Sequence, residues 1–164
     1  MGLLEKIMLF AIPVIFAITL HEAAHGYVAK YFGDLTAYAQ GRVSLNPLRH
    51  IDPIGTILVP LIFLLLPGNF LFGWAKPVPV NFNALRDPKK DMLWVAAAGP
   101  GANLLMVIIW ALVLKFSSVD GEQGALQVMA FAGIMINLVL MFLNLLPILP
   151  LDGGRVASSL LPES

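Results

Sequence analysis

The sequence predicts an α-helical integral membrane protein of one domain. Two observations carry that expectation. Of its 164 residues 59% are hydrophobic and only 12% charged, with mean hydropathy +0.84, whereas soluble domains carry about 25% charged residues. The apolar residues are also gathered into four segments separated by polar loops, at about 4–31, 54–72, 92–116 and 125–151. The net charge is zero, so no basic surface suggests nucleic acid. The partners expected of such a chain are lipid and whatever enters the membrane beside it; its oligomeric state is not written in the sequence.

The first segment has the length to cross. Residues 7–29 span about 34 Å as a helix, against a hydrocarbon core of about 30 Å. Pro13 is placed to kink it. The second segment, Ile54 to Leu66 before Pro67-Gly68, covers only about 20 Å as a helix. It is expected to enter the membrane and return, with 54–72 as a re-entrant unit. Lysine and arginine positions support this. If 54–72 crosses, they divide six against four; if it returns, eight against two. The positive-inside rule selects the second arrangement, with the N-terminus outside and the loops 33–53 and 73–91 in the cytoplasm. Segment 92–116 is then a true crossing, and 125–151 the last helix.

The first helix contains His21-Glu22-Ala23-Ala24-His25. Histidines at i and i+4 share one helix face and can bind one zinc ion, with the intervening glutamate placed to accept a proton from a metal-bound water. The motif follows fourteen residues without a charge, Ile7 to Leu20. Ionisable groups at membrane depth cost about 2.5–3.5 kcal/mol each on insertion scales and mark functional sites. A catalytic zinc takes three protein ligands and leaves one position open. The chain has no cysteine, and its remaining histidine, His50, falls in a loop. The expected third ligand is Asp152, which ends the fourth segment just before Gly153 and Gly154. His25 and Asp152 meet only if their helices run parallel, which the re-entrant arrangement provides. The expected cofactor is one zinc per chain on His21, His25 and Asp152, with Glu22 as the catalytic base.

These motifs resemble the site-2 protease family of intramembrane zinc metalloproteases, in a compact form without a PDZ domain. The resemblance covers nearly all of the chain. It rests on His21-Glu22-Ala23-Ala24-His25, on Ala98-Gly99-Pro100-Gly101-Ala102-Asn103, and on Asn144 through Gly154. The stretches Asn46 to Gly55 and Gly73 to Asn81 also look like those of small prokaryotic members. It implies hydrolysis of peptide bonds in membrane-spanning or membrane-proximal substrates, in a prokaryotic cell membrane, with the active site toward the cytoplasm. Such proteins usually continue past Asp-Gly-Gly-Arg with further helices, so the chain is expected to be cut short at its C-terminus.

Asn144, about two turns before Asp152, and Asn103 are candidate substrate contacts under this resemblance. Asn137 reads as helix packing. The segment Trp74 to Asn83 alternates and carries Pro77 and Pro79, which remove donors from one edge. It is expected to form a small membrane-associated β element, paired with Ala37 to Leu45, whose open edge at Val78 and Val80 holds an extended substrate. The expected architecture is therefore parallel zinc-bearing first and last helices, a third crossing helix, a re-entrant segment and that β element. Non-proteolytic alternatives are a membrane metal carrier or channel using the same ligands, and a catalytically silent scaffold.

Overall fold

The computed structural model describes residues 3–59, 62, 74–117 and 124–162. Most of the expected re-entrant unit 54–72 lies outside the described residues, as does the acidic turn holding Asp120 and Glu122. Five α-helices occur among the described residues: α1 Leu3–Tyr31, α2 Thr36–Ala39, α3 Pro88–Phe116, α4 Ala125–Asn144 and α5 Asp152–Leu160. Three segments, Met8–Tyr31, Pro88–Phe116 and Ala125–Asn144, are long and apolar enough to cross a membrane.

Several helix boundaries have a local cause. α3 starts at Pro88, whose missing N–H costs nothing in the first turn. Asp87 caps it by accepting from the Lys90 N–H at 3.3 Å, while Asp91 accepts from the Asp87 N–H at 2.8 Å, so two orphan donors are satisfied reciprocally. Lys30 and Lys115 sit in the last turns of α1 and α3, where the helix dipole favours cations. α4 ends at Asn144, seven residues before the boundary expected from hydropathy. Pro147 and Pro150 explain the difference: each lacks the N–H a continuing helix needs and restricts the residue before it. Asp152 therefore opens a separate helix, α5, after the loop 145–151 and does not close the fourth apolar segment.

α1, α3 and α4 pack on one another, and their shared interior is small and polar. Ala17, Asn103, Ala130 and Asn137 are completely buried there, whereas Phe16, Leu105, Ile108, Phe131 and Phe142 face outward. This distribution suits a bilayer, where lipid competes well for large apolar side chains and small or polar ones join helices. The interhelical contacts run in opposite order along α3 and its neighbours. His25 meets Val95, His21 meets Gly99 and Asn103, and Ala17 also meets Asn103. On the other side, Asn103 meets Asn137 and Trp110 meets Gly133.

No strand occurs among the described residues, which corrects the expected β element. Thr36–Ala39 is a helical turn followed by Gly41 at φ 64°, so Ala37 is not extended. Residues 74–81 form an irregular connection fixed mainly by side chains rather than by a ladder. Arg42 donates to the carbonyls of Lys76 and Pro77 at 2.7 and 3.3 Å. Buried Asp34 accepts from the Asn81 N–H at 2.7 Å. Two prolines in this stretch leave too few donors for regular pairing.

Candidate metal centre

α1 presents His21 and His25 one turn apart, both more than nine-tenths buried. His25 Nδ1 lies 2.7 Å from the Val95 carbonyl oxygen. A carbonyl only accepts, so this nitrogen carries the proton and Nε2 keeps its lone pair. His21 Nδ1 lies 2.6 Å from Asn103 Oδ1. The Asn103 amide nitrogen donates to Asn137 Oδ1 at 2.8 Å and to the Ala17 carbonyl at 3.4 Å. That assigns the Asn103 oxygen to His21 and frees the His21 Nε2 lone pair in turn. The Asn137 amide nitrogen donates to the Gly133 carbonyl at 2.8 Å. Both rings are thus held as metal ligands are, by a hydrogen bond from the other nitrogen.

The two Nε2 atoms are 3.1 Å apart, and Asp152 Oδ2 is 3.3 Å from each. That carboxylate oxygen is buried and makes no hydrogen bond. Two lone pairs and an anionic oxygen converging without a proton between them repel one another unless a cation lies among them. Tetrahedral zinc with ligands at 2.0–2.1 Å spaces them by about 3.3 Å, so these three side chains fit the ion. An aspartate carboxyl ordinarily titrates at about 4 and a cation beside it favours the ionised form, so Asp152 meets the metal as an anion at neutral pH.

Glycines make the approach possible. A Cβ on Gly99 would lie 2.3 Å from His25 Nε2 and 2.7 Å from His21 Nε2, so α3 must be bare there, while one on Gly101 would meet nothing. Gly153 and Gly154 serve backbone packing and not the metal directly. A Cβ at Gly153 would sit 2.2 Å from the Leu145 carbonyl oxygen, and one at Gly154 2.6 Å from the backbone of Ile148 and Leu149. They seat α5 on the loop 145–151, and that seat delivers Asp152 to the histidines.

A cleft of about 230 Å³ opens on this group, lined in part by Glu22, Val78, Val80, Asn144, Asp152 and Arg155. Glu22 Oε2 accepts from the Val78 N–H at 2.7 Å. The Val78 donor, expected to be open, is therefore taken by Glu22. Asn144 reaches the cleft, but one of its amide N–H groups is spent on the Leu140 carbonyl at 2.9 Å. Asn103, expected as a substrate contact, is completely buried behind His21. His50 stands outside the cleft lining; its ring bonds the Ser44 carbonyl at 2.8 Å and its own carbonyl receives the Lys76 N–H at 3.0 Å. Sequence reasoning gave Asn137 and Arg155 no part in the site. For Asn137 the available signal was an amide in an otherwise apolar span.

Three membrane-length helices with a His2Asp group at one end define a membrane protein with a candidate metal centre. The chain belongs to peptidase family M50, the site-2 protease family, whose model matches residues 120–164. It is similar to YwhC of Bacillus subtilis, named as a zinc metalloprotease, at 41% identity over 92% of this chain and 68% of that protein. Rip2 of Mycolicibacterium smegmatis, named likewise, is 30% identical over 90% of this chain and 56% of its own length. The zinc metalloprotease MJ0392 of Methanocaldococcus jannaschii is 25% identical over 90% of this chain and 32% of its own length. No solved structure matches the chain. Zinc is the metal these relatives' names imply.

Proposed function

We propose that the chain is an intramembrane zinc endopeptidase that cleaves membrane-spanning or membrane-proximal proteins. The observation that carries this reading is the convergence of His21, His25 and Asp152 at 3.1–3.3 Å, with Glu22 lining the same cleft. Zinc held by these three residues supplies Lewis-acid polarisation of a carbonyl and a water made acidic near neutral pH.

The remaining chemistry belongs to the chain. Glu22 is fixed through one carboxylate oxygen by the Val78 N–H, which leaves the other to accept a proton from the attacking water and return one to the leaving amide nitrogen. A peptide must be extended to expose its carbonyl. Val80 lines the cleft beside Glu22, and its own N–H and carbonyl have no hydrogen-bond partner among the described residues. They are the groups on which a substrate backbone would pair.

The contact order along α3 supports a topology in which α3 runs against both α1 and α4, so that those two run in the same direction. With 54–72 re-entrant, the loops 33–53 and 73–91 and the cleft all face the cytoplasm of a prokaryotic cell.

The test compares new protein N-termini in membranes of cells making the wild-type chain or Glu22→Gln, with zinc measured on each purified protein. Zinc in both and new termini only with the wild type is the expected result. Identical termini would sink the reading.

A further inference from the structure

One cation in the cleft has no use in the mechanism above. Arg155 lies three residues after Asp152 on α5 and therefore shares its face of that helix. It lines the same cleft as Glu22 and the two histidines. Its guanidinium carbon stands 4.5 Å from the Phe82 ring centroid. Phe82 opens the short turn Phe82–Ala84 that follows Val80, so the stack spans the cleft between the metal side and the extended segment.

The position of this charge is not explained by pairing within the fold. Arg155 is near the N-terminus of α5, where the helix dipole disfavours a cation. No carboxylate pairs with it among the described residues, and its five donors bond no protein group there. The other donors of the cleft wall are neutral and partly used. The histidines donate through Nδ1 to Asn103 and Val95, and Asn144 has spent one N–H on Leu140. A planar, braced donor set facing a peptide-sized cleft suits carbonyl oxygens, whose hydrogen bonds to a charged donor are about twice as strong as neutral ones.

We propose that Arg155 is a substrate-contacting residue, whose guanidinium, braced on Phe82, donates hydrogen bonds to carbonyl oxygens of the peptide laid between α5 and Val80. This rests on the proteolytic reading. It assigns the two walls of the cleft different tasks: the 78–80 segment offers neutral backbone groups, and α5 offers the single strong donor. Lysine is a poor replacement, since it lacks the flat fork that stacks on an aromatic face.

The experiment measures the rate at which new N-termini appear in membranes of cells making the full chain, with zinc content and melting temperature of each purified variant. Arg155→Met keeps apolar packing on Phe82 and removes every donor. It should cleave about 30-fold more slowly, the scale of losing a hydrogen bond from a charged donor to bound substrate, with zinc and melting temperature unchanged. Arg155→Lys should lose about 10-fold, keeping charge without the fork. A rate for Arg155→Met within twofold of wild type overturns the proposal. So does loss of zinc or of folding in Arg155→Met, which would make the stack on Phe82 a strut. Should both variants lack zinc, the strut is again the answer; Arg155→Lys with zinc and full activity refutes the fork. If the wild type and Glu22→Gln give the same termini, the proteolytic reading has failed and the proposal falls with it. A wild type that cleaves beside an equally fast Arg155→Met removes this inference alone.

Discussion

Asn103 holds His21 at 2.6 Å from behind, and its own amide is locked by Asn137 and by the Ala17 carbonyl. The relation joins all three membrane-length helices at one imidazole. It also decides which His21 nitrogen is bare, so an amide with no exposure controls the chemistry of a residue on the cleft.

Removing that acceptor should be felt at the metal. Asn103→Ala is expected to weaken zinc binding about 10–100-fold, the usual cost of losing a ligand's outer hydrogen bond. Asn103→Asp should do less damage because an acceptor remains. Asn137→Ala should fall between wild type and Asn103→Ala. Competition against a chelator of known affinity measures all three, and wild-type affinity in Asn103→Ala would break the link between the asparagine and the site.

Two glycines of one motif should separate cleanly. A methyl group at 99 meets both ring nitrogens, whereas one at 101 meets nothing. Gly99→Ala should therefore lose zinc and cleavage together. Gly101→Ala should keep both, and gain up to about 1 kcal/mol from better helix propensity. Zinc content and thermal unfolding of the two purified proteins give the comparison, and a zinc-replete Gly99→Ala would contradict the packing.

Asp152 is the ligand that comes from outside the histidine motif. Asp152→Ala should lower zinc affinity and activity, while Glu22→Gln should spare zinc. Gly153→Ala should resemble Asp152→Ala, because its methyl group would strike the Leu145 carbonyl and move α5. Full metal content in Asp152→Ala would remove it from the ligand set.

The segment beside Glu22 offers a test of substrate pairing. Val80→Thr keeps backbone donors and β-propensity and should be nearly silent. Val80→Pro removes the free N–H and should slow cleavage at least 10-fold at constant zinc. Val78→Pro should be worse, because it strips the hydrogen bond from Glu22. Equal cleavage by Val80→Pro and wild type would mean that substrate is held elsewhere.

Topology is open to labelling, since the chain contains no cysteine. Single cysteines at Ser44 and Asn83 should be shielded from an impermeant reagent added outside the cell. Labelling at 83 but not at 44 would show that 54–72 crosses the membrane.

Membrane class, zinc as the metal and the candidate ligands were legible in composition and spacing. Composition sets the solvent, the i, i+4 histidine spacing is local to one helix, and a missing third ligand leaves Asp152 as the anionic candidate. What depends on distant segments coming together was not legible there. The sequence marks Asn103 as a candidate substrate contact and Asn137 as packing, and only the crossing of α3 between α1 and α4 aligns both behind His21. The fourth apolar segment reads as continuous to Leu151, yet Pro147 and Pro150 stop its helix at Asn144 and let Asp152 start another. The alternation of 74–83 suggested a strand with an open edge. Its backbone groups are instead largely claimed by Arg42, Asp34 and Glu22, side chains 34 to 56 positions away in the chain. Periodicity reports which face a residue occupies; which partner waits at that face is fixed by packing between segments that sequence order keeps apart.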